Sequence, residues 1–203
     1  HDPDEKVRER QAAASVERAL AAKALIERNG LPVKKLVTSG SPTFEINARR
    51  PEIDEVSPGT WILWDNGYTE SMPGRFRCAA LVVARVISRP TPRTVTVDAG
   101  SKSISTDVIA VPDRKAISKE EAASIIINGH ARPLNWPGAK FLARNEEHLV
   151  IQLPDGAEQP PVGTLVYFMP RHICTTVNLW DEMRVVDGQG RYVETWPIDA
   201  RGH

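Results

Sequence analysis

Lys35-Leu36-Val37-Thr38-Ser39-Gly40-Ser41-Pro42-Thr43 is a short apolar run that passes directly into a loop of small residues. Its branched side chains favour extended backbone, so residues 35–38 read as a buried strand. Upstream, residues 4–28 form one long helix. Asp4 and Glu5 place negative charge at its start, where the aligned amides favour it, and Ala13, Val16, Leu20 and Ala24 recur at spacings of three and four. Asn29-Gly30 stops this helix and Pro32 follows. Helix, strand and small-residue loop in that order make an α/β unit. Downstream, Thr60-Trp61-Ile62-Leu63-Trp64 is expected to be a second strand, ending at Asp65-Asn66-Gly67-Tyr68.

After Met72-Pro73-Gly74 the pattern changes. Strand-like runs at residues 78–88, 93–98, 148–153, 163–169 and 183–186 are separated by proline and glycine turns. Residues 186–193 read as a hairpin around Gly188 and Gly190, with no helix after them to make a dinucleotide fingerprint. One helix is expected over 118–127, with Ser118 as cap and Glu121 three residues on. The chain therefore divides near residue 70 into an α/β part and an antiparallel β-rich part.

The charge is balanced, 26 Lys and Arg against 26 Asp and Glu, which argues against a nucleic-acid groove. No apolar run reaches the length of a membrane span, so no membrane partner is expected. The chain opens on a charged segment without Met, which reads as an excerpt or a processed product without a signal peptide. The two cysteines, Cys78 and Cys174, are not expected to pair if Cys174 binds metal, and the expected compartment is reducing and cytoplasmic.

The chemistry concentrates in Pro170-Arg171-His172-Ile173-Cys174-Thr175-Thr176-Val177-Asn178-Leu179. Read as a strand, this run points His172 and Cys174 to the same face, within reach of one metal ion. Two protein ligands leave positions open, as a catalytic ion requires. The competing reading is a small buried cysteine beside a hydrogen-bonded histidine. The loop at residues 39–43 offers amides and hydroxyls to an anion, or is an ordinary turn. Lys102 reads as solvated or ion-paired, since nothing nearby lowers its pKa. Glu146-Glu147-His148 offers an acid/base pair or a third ligand, with a charged turn as the plain reading.

In chain order, Val37-Thr38-Ser39-Gly40-Ser41-Pro42-Thr43, Pro58-Gly59-Thr60-Trp61-Ile62-Leu63-Trp64-Asp65, Asp98-Ala99-Gly100-Ser101-Lys102, Ser105-x-Asp107, Glu146-Glu147-His148, the His172-x-Cys174 run and Ala200-Arg201-Gly202 resemble one family. This is the D-threonine aldolase and D-serine dehydratase group of pyridoxal-phosphate enzymes, with the alanine-racemase-like fold. The resemblance implies the tail of a (β/α)8 pyridoxal-phosphate-binding barrel in residues 1–70 and an antiparallel β-rich C-terminal domain in 71–203. It implies that Gly40, Ser41, Pro42 and Thr43 hold the cofactor phosphate. It implies that His172 and Cys174 hold a divalent metal, zinc by thiol softness with manganese as the alternative.

The implied activity is a lyase acting on a small-molecule D-β-hydroxy amino acid, with elimination favoured over retro-aldol cleavage by the His-x-Cys pattern. The family's homodimer is expected of a full-length protein. The Schiff-base lysine has no counterpart here, because Lys34, Lys35 and Lys102 do not match its context; no catalytic residue is therefore assigned, and the chain alone is expected to be inactive. Two other readings stay open: a non-catalytic β-rich metal-binding domain, and a metal-free racemase-like pyridoxal-phosphate enzyme.

Overall fold

The computed structural model describes residues 2–107, 118, 129 and 131–202. Two compact units emerge. One runs to Trp64 and resumes over Tyr68–Arg77; the other holds Asp65–Gly67 and everything from Cys78 onward.

The first unit opens with helix α1, Glu5–Arg28. The Asp4 side chain caps it by accepting the amides of Lys6 and Val7 at 2.8 and 3.4 Å. It ends at Asn29, where the Leu31 amide reaches Ile26 O and the Gly30 amide reaches Glu27 O, the paired closure that satisfies two last-turn carbonyls. The buried stripe is Arg8, Ala12 and Val16. Ala13 and Ala24, expected on that stripe, are exposed. Strand β1, Val37–Ser39, pairs in parallel with β2, Glu55–Ser57, across the short helix α2, Phe44–Asn47.

The expected second strand at residues 60–64 is instead a 3-10 turn, Thr60–Ile62. The Leu63 and Trp64 amides both return to Thr60 O, at 3.1 and 2.7 Å. A short apolar run has no period that separates strand from turn, and aromatic packing decides this one. Phe76 lies 6.0 Å from Trp61 and 5.0 Å from Trp64 between ring centres, and Trp64 stacks on Tyr68. Helix α3, Asn66–Ser71, follows.

The second unit is built on a six-stranded antiparallel sheet in the order β5-β8-β3-β4-β7-β6. Its strands are β3 Val82–Thr91, β4 Thr94–Val97, β5 Ala131–Pro133, β6 Lys140–Arg144, β7 Leu149–Gln152 and β8 Leu165–Pro170. Strand period sets its core: Val82, Ala84 and Val86 point in while Val83, Arg85 and Ile87 point out. Val95, Val97, Leu149, Ile151, Val166 and Phe168 complete the same cluster, fully buried. Phe168→Ala should cost about 3–5 kcal/mol, a buried aromatic truncated to a cavity. A chemical-denaturation midpoint unchanged by that substitution would contradict this core.

Helix α4, Ile173–Val177, leaves the end of β8, and β9 Glu182–Val186 pairs with β10 Tyr192–Pro197 in a separate hairpin. The hairpin is where the sequence puts it. The helix expected over 118–127 lies outside the described residues. Strands β5 and β6 had no counterpart in the sequence reading. Arg132 and Lys140 interrupt their apolar pattern, and sheet pairing rather than local preference makes them extended.

Candidate metal centre

The run carrying His172 and Cys174 is not a strand. Chain pairing ends at Pro170, whose ring nitrogen has no hydrogen to donate, and helix α4 begins three residues later. His172 is its cap residue, still extended at φ −130° and ψ 107°. The β-branched Thr175-Thr176-Val177 is held helical from outside. The Thr176 hydroxyl donates to His172 O at 2.8 Å and accepts the Ser105 amide at 3.2 Å, and Thr176 is buried. The same-face argument from strand period therefore fails, yet the two side chains do meet.

The Cys174 sulfur hydrogen-bonds the His172 imidazole, and the Asp107 carboxylate takes His172 Nδ1 at 2.8 Å. Cys174 first, and Asp107 after burial's opposing effect, hold the imidazole above the usual histidine range. The His172 side chain is 18% exposed and that of Asp107 52%. Cys174 is exposed, and among the described residues neither cysteine is in a disulfide. Cys78 differs: burial pushes its thiol up, and it donates to Ala80 O at 3.2 Å.

Glu146, Glu147 and His148 form a charged turn, closed by the Asn145 amide donating to His148 O at 2.9 Å. Lys102 Nζ bridges Glu146 and Glu147 at 3.2 and 3.0 Å, so the reading of Lys102 as ion-paired holds. These contacts raise the lysine's pKa, opposite to what a nucleophilic amine needs, and lower that of Glu147. Among the described residues no set of three His, Cys, Asp or Glu converges on one ion position, so the third-ligand reading of this turn falls. Asp107, Asp65 and Thr176 stood in the sequence only within the runs that carry the family resemblance, with no role assigned. Contacts across 65 to 108 positions connect these residues to the site.

In the first unit, the loop after β1 turns at Gly40, where φ is 105°. The Thr43 amide donates to Gly40 O at 3.1 Å. Ser41 is buried, and its hydroxyl has no hydrogen-bond partner among the described residues. Ser41 and Pro42 line a cavity of about 240 Å³ with Arg8, Arg49 and Arg75, the last ion-paired to Glu45. No described helix is long and apolar enough to cross a membrane.

Comparison with known proteins agrees with this architecture. The chain is 27% identical over 181 residues to a D-threonine aldolase of Arthrobacter sp, an alignment covering 88% of this chain and 42% of that protein. The crystal structure of a D-threonine aldolase from Filomicrobium marinum superposes with a TM-score of 0.78 at 25% identity, covering 98% of this chain and 50% of that one. A D-threo-3-hydroxyaspartate dehydratase from Delftia sp. shares the fold, with a TM-score of 0.70 at 23% identity over 98% of this chain and 53% of that one. Two further structures of such a dehydratase carry alanine in place of a histidine and of a cysteine two positions later, the second in the metal-free form. The chain spans about half the length of these relatives. The family described as "Putative serine dehydratase domain" matches residues 79–186, just over half of the 203 residues and the whole of the six-stranded sheet. The chain belongs to this serine dehydratase domain family.

Proposed function

We propose that this chain is the metal-bearing part of a pyridoxal-phosphate- and metal-dependent lyase for D-β-hydroxy amino acids, with His172 and Cys174 as the protein ligands of one divalent ion. The observation that carries this is the exposed Cys174 thiol hydrogen-bonded to an imidazole whose Nδ1 is already taken by Asp107. A carboxylate on one ring nitrogen fixes the tautomer and leaves the other nitrogen to the metal, a common outer-sphere arrangement at histidine ligands. Two donors of this kind fit zinc better than manganese and leave positions open to substrate. The His and Cys altered in the dehydratase stand at the same spacing.

The cofactor loop fits too. Gly40 to Thr43 offers a left-handed turn and, in Ser41, a buried hydroxyl still lacking a partner among the described residues. When bound, pyridoxal phosphate supplies an electron sink at Cα and the metal a Lewis acid for the substrate hydroxyl. The chain's own part is to orient. Asp107 holds the proton on His172 Nδ1, Thr176 holds the His172 carbonyl, and Cys174 presents its sulfur to the outside. The likeness of His172-x-Cys174 to the histidine and cysteine altered in the dehydratase favours elimination, which releases a keto acid and ammonia, over carbon–carbon cleavage.

Incubation of the chain with pyridoxal phosphate, zinc, and D-serine or D-threonine is expected to leave one zinc per chain and no turnover. No lysine of this chain is assigned covalent catalysis, because Lys34, Lys35 and Lys102 do not match the Schiff-base context of the family that the sequence resembles; Lys35 is in addition paired with Glu55, and Lys102 with Glu146 and Glu147. Borohydride trapping of the cofactor on one specific lysine, with turnover, would refute that division of labour. Ser41→Ala should weaken pyridoxal phosphate binding about tenfold, the loss of one hydrogen bond to a charged group. Unchanged binding by fluorescence titration would move the phosphate to another loop.

A further inference from the structure

We infer that Asp65 is a positioning residue for this metal centre: its buried carboxylate fixes the turn that presents His172 and Cys174. The inference rests on the reading of those two side chains as metal ligands. Asp65 is 0% exposed, and its Oδ2 accepts the amide of Ile173 at 3.2 Å, from 108 positions away. Ile173 opens helix α4, and the first amides of a helix have no partner within it. His172, the cap residue, supplies no side-chain bond to them. A helix of five residues cannot sustain itself on backbone bonds alone, so its place is set by what grips its ends.

A second grip comes from Gly67. Its amide donates to Arg171 O at 3.1 Å, and a Cβ built on it would lie 2.9 Å from that oxygen. Residues 65 and 67 thus hold the backbone on both sides of His172. Trp64, immediately before Asp65, is the one non-glycine residue among the described residues with positive φ, at 58°. That conformation costs on the order of 1–2 kcal/mol and persists only where surroundings impose it.

The test is cobalt titration of the full chain and its variants, following the thiolate-to-cobalt absorption band. Asp65→Ala should bind cobalt ~10–100-fold more weakly, the usual loss for an outer-sphere partner, with a diminished band. Asp65→Asn, which keeps an oxygen for the Ile173 amide, should restore both. A lower melting temperature with unchanged affinity and band would mean a structural role only and would overturn the inference. If Asp65→Ala fails to fold, Gly67→Ala perturbs the same turn from Arg171, and the same two readouts decide. If the unaltered chain takes up no cobalt, the metal reading fails by itself. The imidazole nitrogen resonances of His172 then decide the anchor: movement in Asp65→Ala sustains it, and coincidence with the unaltered chain overturns it.

Discussion

Cys174→Ala should strip the chain of zinc without unfolding it. Structural zinc sites with four protein ligands are worth about 10–16 kcal/mol, or roughly 2.5–4 kcal/mol per ligand. Loss of one of two ligands therefore weakens binding by a factor on the order of 10²–10³. The stability of the metal-free chain should hardly change, because Cys174 is exposed and its truncation opens no core cavity. His172→Ala should lose metal to the same degree. Cys174→Asp should instead shift preference toward manganese, because a carboxylate is a harder donor than a thiolate. Metal analysis after dialysis, with thermal melting of the same samples, reads both halves. Zinc retained at one per chain in Cys174→Ala would eliminate the thiol as a ligand.

An effect on folding as large as that of truncating Phe168 is expected at Gly100. A Cβ there would stand 2.4 Å from Glu146 O and 2.5 Å from Asn145 O. Both are backbone atoms, and the same two carbonyls accept the amides of Lys102 and Ser101 at 2.9 and 3.0 Å. The turn and the loop cannot separate without breaking those bonds. Overpacking costs about 1–3 kcal/mol and each lost hydrogen bond about 1 kcal/mol, so Gly100→Ala should destabilise by about 3–5 kcal/mol. The turn also places Ile104 in the core and leads into Ser105, which donates its amide to Thr176. Gly100→Ala should therefore lower both the denaturation midpoint and the zinc affinity. A midpoint within experimental error of the unaltered chain would show that the turn relaxes without these bonds.

The exposed ion pairs contrast with this. Lys102 with Glu146 and Glu147 lies across the same contact, but solvent screens it, and such pairs contribute little. At this contact the fold depends on how closely two backbones approach.

Much of the molecule is written locally. The long helix, its Asp4 cap and its Asn29-Gly30 end depend on residues within one turn of each other, so the sequence alone determined them. The hairpin at residues 186–193 and strands β3, β4, β7 and β8 follow from alternating apolar residues between turns. The pairing of His172 with Cys174 was legible as a motif. Its backbone was not: threonine and valine preferences favour a strand, whereas Asp65, Gly67 and Ser105 hold a helix there through long-range bonds. The run at residues 60–64 turned for a similar reason, aromatic packing outweighing extended preference. Sequence determined which donors could meet a metal, because residue type fixes chemistry. Only the tertiary structure decided that Asp107 holds the imidazole and that Lys102 pairs with Glu146 and Glu147, because those contacts depend on where distant segments are folded together.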